Sequence, residues 1–202
     1  MGAVLAGFFT GLSLIVAIGA QNAYLLRLGL TRRYVGVAVA ICVASDVALI
    51  LLGTAGVGVV VRSYPSVLNI LKWVGVAYLV GFALYSFYKA SKREVLLPSE
   101  SQPPARKVVI ATMFAFTLLN PHVYLDTVLL LGSIANQYGS NKWLFAIGAC
   151  AASALWFTSL GFGAKAASAF MARPVTWRIL DVLFGVIMLA VAFSVASTHI
   201  GQ

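Results

Sequence analysis

The sequence predicts an all-α integral membrane protein, with six transmembrane helices arranged as two inverted three-helix repeats. Three observations carry that expectation. Of the 202 residues, 61% are hydrophobic and 9% charged, with a mean hydropathy of +0.98, which leaves too little polar material to cover a water-soluble surface. Apolar runs long enough to cross a bilayer, about 20 residues in a helix, recur along the chain. The polar residues that interrupt those runs fall at similar places in the two halves.

In chain order the runs cover residues 3–26, 36–61, 66–88, 108–135, 143–168 and 178–198. The first lacks the basic n-region of a secretory signal, and the polar GAQNAYLLR that ends it is no small-residue cleavage site, so it is read as a helix of the mature protein. None of the runs alternates with period two, which excludes the wall of a porin-type barrel. Between the third and fourth runs, SKREVLLPSESQPPARK (Ser91–Lys107) holds three prolines and both glutamates of the chain, the composition of a flexible linker. It divides the chain into a first repeat at 1–90, a linker at 91–107 and a second repeat at 108–202. NAYL (Asn22–Leu25) is echoed by NPHVYLD (Asn120–Asp126). ICVASDVALILLG (Ile41–Gly53) is echoed by ACAASALWFTSLG (Ala149–Gly161) with Cys, Ser and Gly in register, and the third helices share Gly75 and Gly185. An odd number of helices per repeat forces the second copy to enter the membrane from the opposite side. Many secondary transporters use that arrangement to build a midplane site with two alternating exits.

Charge fixes the expected orientation. Eleven Lys and Arg residues, from Arg27 and Arg32 to Arg173 and Arg178, collect on one side of the six helices, and three (Arg62, Lys72 and Lys142) on the other. The crowded side is then cytoplasmic and both termini are outside. The net charge of +9 caps membrane spans and forms no aromatic-interleaved patch, so nucleic acid is not an expected partner. Trp143, Trp177, Tyr64 and Tyr88 fall near run ends, as interfacial anchors do. Cys42 and Cys150 sit inside helices among small apolar residues and read as packing, not as a disulfide.

Acidic residues are scarce enough to take one by one. Glu94 and Glu100 lie in the linker, leaving Asp46, Asp126 and Asp181 in or at the ends of helices. An Asp at a helix centre costs about 2.5–3.5 kcal/mol to insert, an expense that usually marks function. Asp46 stands roughly 18 Å along the second helix, near mid-membrane. Asp126 follows Asn120-Pro121, where the missing backbone donor deprives the Thr117 carbonyl and should break the helix. Gly19 offers a comparable flexible point beside Gln21 and Asn22. Freed carbonyls and the amides of Asn22, Asn120 and Gln21 can then line a cavity. Asp181 is expected to pair locally with Arg178, and Arg27 either to sit inside the first helix as a partner for Asp46 or to snorkel to the headgroups, the latter preferred. His122 reads as a hydrogen-bonded structural histidine or a proton relay. Trp156 and Tyr124 lie deeper, either as core packing or as a wall for a ligand's aliphatic stem or cation.

IGAQNAYLLRLGL, CVASDVALILLG, FTLLNPHVYLDTVLLLG and SALWFTSLGFGAK resemble the LysE family of basic amino-acid exporters through nearly the whole chain. The resemblance implies a secondary transporter of the bacterial cytoplasmic membrane, not an enzyme, that exports L-lysine, L-arginine or both without a cofactor. It places the family's polar motifs on Gln21, Asn22, Asp46, Asn120, Pro121, Tyr124 and Asp126. The residues read alone agree with a cationic cargo. A side-chain ammonium or guanidinium needs carboxylates in a low-dielectric cavity, which Asp46 and Asp126 supply, and its α-carboxylate needs donors. Moving one positive charge out of a negative-inside cell costs about 2.3 kcal/mol per 100 mV. No phosphate-binding loop offers nucleotide energy, so exchange for an inbound proton is the expected coupling, with Asp46 as the exchange site and Asp126 as the second cation ligand.

Expected partners are therefore the amino acid, protons and the bilayer, with a homo-oligomer left open. Neutral amino acids or another small cation on the same scaffold are the alternative cargo, although two scattered aspartates are a poor metal site. An intramembrane protease dyad would need a GxGD-type loop that neither Asp46 nor Asp126 has beside it. A reporter fused after Gln202 is expected to be active only on the non-cytoplasmic face; cytoplasmic activity would reverse the topology.

Overall fold

The computed structural model describes residues 1–16, 19–56, 65–91, 105–167 and 174–197, which are helical apart from short turns. Residues 17, 18 and 57–61 of the expected runs, Arg62, Tyr64, the linker from 92 to 104 and Arg173 lie outside the described residues, as do the side chains of Trp177 and Arg178. Nine α-helical segments are described. They are α1 (Gly2–Ile15), α2 (Ala20–Leu30), α3 (Val35–Thr54), α4 (Pro65–Ser91), α5 (Arg106–Leu118), α6 (Pro121–Val123), α7 (Gly132–Gln137), α8 (Lys142–Ala167) and α9 (Pro174–Ser197). A π-helical stretch, Tyr124–Leu131, joins α6 to α7, and a 3₁₀ turn at Gly139–Asn141 precedes α8.

By length and composition α3 and α8 are each able to cross a membrane, and α1 with α2 make a third span if counted together. Four of the six expected runs correspond to single helices, α3, α4, α8 and α9. The other two are broken. The first run divides into α1 and α2, whose axes differ by 82°. The fourth divides at Leu119-Asn120, as the Asn-Pro pair predicts, and then continues in π geometry, which the composition does not announce. At the α2–α3 turn Arg32 takes a left-handed conformation (φ 55°) while its N–H donates to Gly29 and that of Arg33 to Leu28, so the last carbonyls of α2 are satisfied without a glycine.

Two bodies emerge from the packing. In one, α8 lies along α1 and against α2 and α3, and α3 in turn packs on the π-helical stretch and α5. Small residues set these approaches. A Cβ at Gly148 would strike the Val4 carbonyl, one at Gly7 the Phe145 carbonyl, one at Gly132 the backbone of Gly53, and one at Gly29 the carbonyl of Gly161. In the other body α4 and α9 run against each other. This pair meets the first body at a cluster of edge-on rings, Tyr24, Tyr78, Phe82 and Phe116, with centroids 5.1–5.7 Å apart. Tyr78 also donates to Thr112 Oγ1 at 3.2 Å. The outward faces of both bodies carry large apolar side chains, among them Phe9, Trp73, Ile147, Leu155, Ile179 and Phe193, as lipid contact requires. Trp143 and Tyr88 are exposed near helix ends.

Gly148→Val should lower the thermal midpoint of the purified protein, reflecting a loss of about 1–3 kcal/mol from overpacking. Gly163→Ala, where a Cβ meets open space, should leave it unchanged; equal midpoints for the two variants would refute the close α1–α8 approach.

Candidate functional site

A partly open cavity of about 440 Å³ lies where both broken runs meet α3, α8 and α9. Its polar wall is Gln21, Asn22, Asp46, Asn120, His122, Asp126, Thr127 and Ser194, and its apolar wall includes Leu14, Ile15, Phe157 and Val191. That volume falls in the range of about 300–1,000 Å³ typical of small-molecule sites. Five of the residues singled out from the sequence as binding groups thus share one chamber, with Gly19 on its rim.

The two breaks are built alike. At the first, Asn22 on α2 reaches back across the interruption and its Nδ2 donates to the Ile15 carbonyl at the end of α1 (2.9 Å). At the second, the Tyr124 hydroxyl reaches back and donates to the Leu118 carbonyl at the end of α5 (2.8 Å). Each side chain satisfies an acceptor that the broken helix leaves orphaned inside an apolar surrounding. Asn120 caps the restarted helix, accepting the His122 N–H on Oδ1 at 3.1 Å, with Pro121 in the first helical position where its missing donor does no harm. The resulting π geometry carries Asp126 onto the cavity wall, and π turns recur at functional sites.

Asp46 is buried, and its Oδ2 accepts a hydrogen bond of 2.9 Å from Ser153 of α8. One oxygen is held by the protein and the side chain still contributes to the cavity wall. Asp126 is half-buried there, shares the cavity wall with His122, and has no ion pair among the described residues. The Gln21 amide nitrogen is buried close to the Cys42 thiol, with no oxygen acceptor among the described residues. Around an amphiphilic solute, these residues present carboxylates from α3 and the π stretch, and amides and open backbone N–H groups from the start of α2.

Trp156 and Tyr124 do not contribute to the wall. Trp156 Nε1 donates to Asn22 Oδ1 at 3.3 Å and so steadies the residue that closes the first break, while Tyr124 serves the second break as described. One expectation about charge is corrected. Arg27 neither snorkels nor reaches Asp46; it bonds Asp181 on α9 (Nη2 to Oδ1, 2.5 Å) with its guanidinium 5.5 Å from the Phe184 ring centroid. Asp181 is accordingly tied across 154 residues of sequence, while the Arg178 side chain expected beside it lies outside the described residues. Local spacing offers no hint of Arg27, which reaches Asp181 only through the packing of distant helices. Ser153 was equally invisible as a ligand of Asp46, although the repeat places it in register with Ser45, beside Asp46.

Among known proteins, the model of the LysE type translocator family matches residues 12–199. A Mycobacterium bovis protein named "Putative amino-acid transporter" is 44% identical, the match covering 93% of each chain. The lysine exporter LysE of Corynebacterium diphtheriae is 39% identical over 94% of this chain and 96% of its own. The arginine exporter protein ArgO of Salmonella enteritidis is 36% identical over 94% and 91%. No solved structure matches.

Asn120→Ala should lower stability by about 1 kcal/mol through loss of the cap, and Asn120→Asp should restore most of it. Thermal midpoints that do not separate the two would contradict the capping role.

Proposed function

The chain belongs to the LysE type translocator family, and from that premise we propose that it is a secondary exporter of L-lysine, L-arginine or both, multi-pass in the bacterial cytoplasmic membrane. The observation that carries the reading is the cavity itself, which sets two carboxylates and three amides around one chamber. The substrate's side-chain cation lies between Asp46 and Asp126. Its α-carboxylate faces Gln21, Asn22 and the first N–H groups of α2, where the helix dipole is positive, and Asn120 completes the donors. Phe157 and Val191 accept the methylene stem. Trp156 and Tyr124 act one step back, holding the broken helices that present these groups.

The organisation we propose is six spans in two inverted repeats, at 1–90 and 108–202 on either side of the linker at 91–107. Three features support it. Each half contributes one broken span, and a side chain just past each break serves the carbonyl before it. Gly29 crosses Gly161 in one place and Gly132 crosses Gly53 in another, and Gly53 and Gly161 are the pair in register in the sequence repeat. The first span packs on the fifth as the fourth packs on the second, while the third and sixth pack on each other, a pattern that exchanging the halves leaves unchanged.

Export of a cation against a negative-inside potential needs compensation of about 2.3 kcal/mol per 100 mV. A proton entering as the cation leaves cancels that work, and Asp46 is the exchange site. When the substrate leaves, Asp46 keeps only the Ser153 hydroxyl for company, and a proton takes the substrate's place. The partners are then the amino acid, protons and lipid.

In proteoliposomes, Asp46→Asn should abolish lysine counterflow and its dependence on pH, and Asp126→Asn should raise KM by tenfold or so for the loss of a charged ligand of about 1.5 kcal/mol. Unaltered counterflow by Asp46→Asn would remove the exchange role. Competition by leucine as strong as by lysine or arginine would shift the cargo to neutral amino acids.

A further inference from the structure

Resting on the exporter reading, the inference concerns how the two faces open. The Arg27–Asp181 pair lies off the cavity, on its basic side. Arg27 is about 7.5 Å further along α2 than Asn22, and Asp181 precedes the cavity residue Ala190 by about 13 Å of α9. The pair joins the α4–α9 body to the other body, with Arg27 two residues before Gly29, which abuts the end of α8 at Gly161 and Lys165. In the opposite direction the cavity follows α9 as far as Ser194, near the end of that helix. The pair thus bridges the two bodies on one side of the chamber, and the chamber's lining extends along α9 away from it.

The repeat supplies a counterpart to this latch. Setting Tyr24-Leu25 against Tyr124-Leu125 puts Arg27 opposite residue 127, and setting Gly75 against Gly185 puts Asp181 opposite residue 71. One residue from these positions stand Asp126 and Lys72, an acid and a base with the polarity exchanged. They lie on the same side of the second break. Gly75 abuts the Leu119 backbone, Lys72 is a turn from it toward the start of α4, and Asp126 is about 10 Å beyond it in the same direction. Lys72 is buried, its ammonium 5.2 Å from the Trp73 ring centroid. Among the described residues no ion pair joins it to Asp126.

We propose that Arg27–Asp181 and Lys72–Asp126 are alternating latches, one closing the basic side and the other the opposite side as the α4–α9 body tilts, and that Asp181, once released by Arg27, is the entry site for the substrate's ammonium or guanidinium. Each state then offers the open side one outlying carboxylate beyond Asp46: Asp181 facing the basic side, Asp126 facing the other. The cation passes Asp181, Asp46 and Asp126 in turn, and the latch forming behind it neutralises the carboxylate it has no further use for.

The test needs no substrate. Ser194→Cys, in full-length protein with Cys42 and Cys150 replaced by serine, is labelled with a membrane-impermeant maleimide from the side that reaches it. Asp181→Asn should lower the labelling rate by about fivefold or more as the basic-side latch fails. Adding Lys72→Met to that variant should restore the rate, because the opposing latch is lost as well. The exchanged pair Arg27→Asp with Asp181→Arg, which keeps the latch, should label like the parent and shows that the site tolerates substitution. No change with Asp181→Asn, or no recovery on adding Lys72→Met, overturns the proposal. Lysine counterflow by the parent protein reports separately on the exporter reading.

Discussion

Carboxylates within an apolar helix bundle have to be kept out of lipid, and that requirement organises this protein. An aspartate at the centre of a span costs about 2.5–3.5 kcal/mol on insertion scales, and an opened backbone adds unsatisfied carbonyls of comparable expense. Both appear together here. Asp46 faces α8 and the cavity, held by Ser153. The two breaks turn inward to the same chamber, with Asn22 and Tyr124 serving the carbonyls that the breaks expose. The chamber, the small-residue crossings that let helices close around it, and the apolar outer faces are consequences of one constraint: polar groups gather where water and substrate can reach them.

The division into two bodies gives that chamber a way to move. One body holds α3, α8 and both broken spans, packed through glycines whose Cβ positions are already filled by backbone, and it is rigid for that reason. The other is the α4–α9 pair, joined to the first by a ring cluster, by the close approach of Gly75 to the Leu119 carbonyl and by the Arg27–Asp181 bond. The ion pair in that joint is either made or broken, and the alternating access proposed above requires a joint with two discrete settings. The residues that line the cavity lie chiefly on the first body, with α9 supplying Ala190, Val191 and Ser194.

Much of this was legible in the residues, and what was not has identifiable causes. The class follows from hydropathy, and the break at Asn120 follows from Pro121, because a missing donor cannot be compensated within a helix. Asp46 and Asp126 stood out by scarcity alone, since five acidic residues in 202 leave few alternatives. The split of the first run was signalled only by Gly19, and the 82° between α1 and α2 has no local sequence correlate. The π stretch keeps the composition of an ordinary apolar helix. Arg27 with Asp181 and Ser153 with Asp46 were out of reach for a different reason. Local spacing rules see partners three or four residues apart, and these partners are chosen by how distant helices pack.

The most direct measurement is the thermal stabilisation of the purified protein by amino acids differing only in the side-chain end. If the chamber is built for a cation between Asp46 and Asp126, L-lysine and L-arginine raise the midpoint, L-leucine at the same concentration does not, and the effect disappears in Asp46→Asn. Stabilisation by leucine equal to that by lysine, or by lysine in Asp46→Asn equal to that in the parent, would contradict the account.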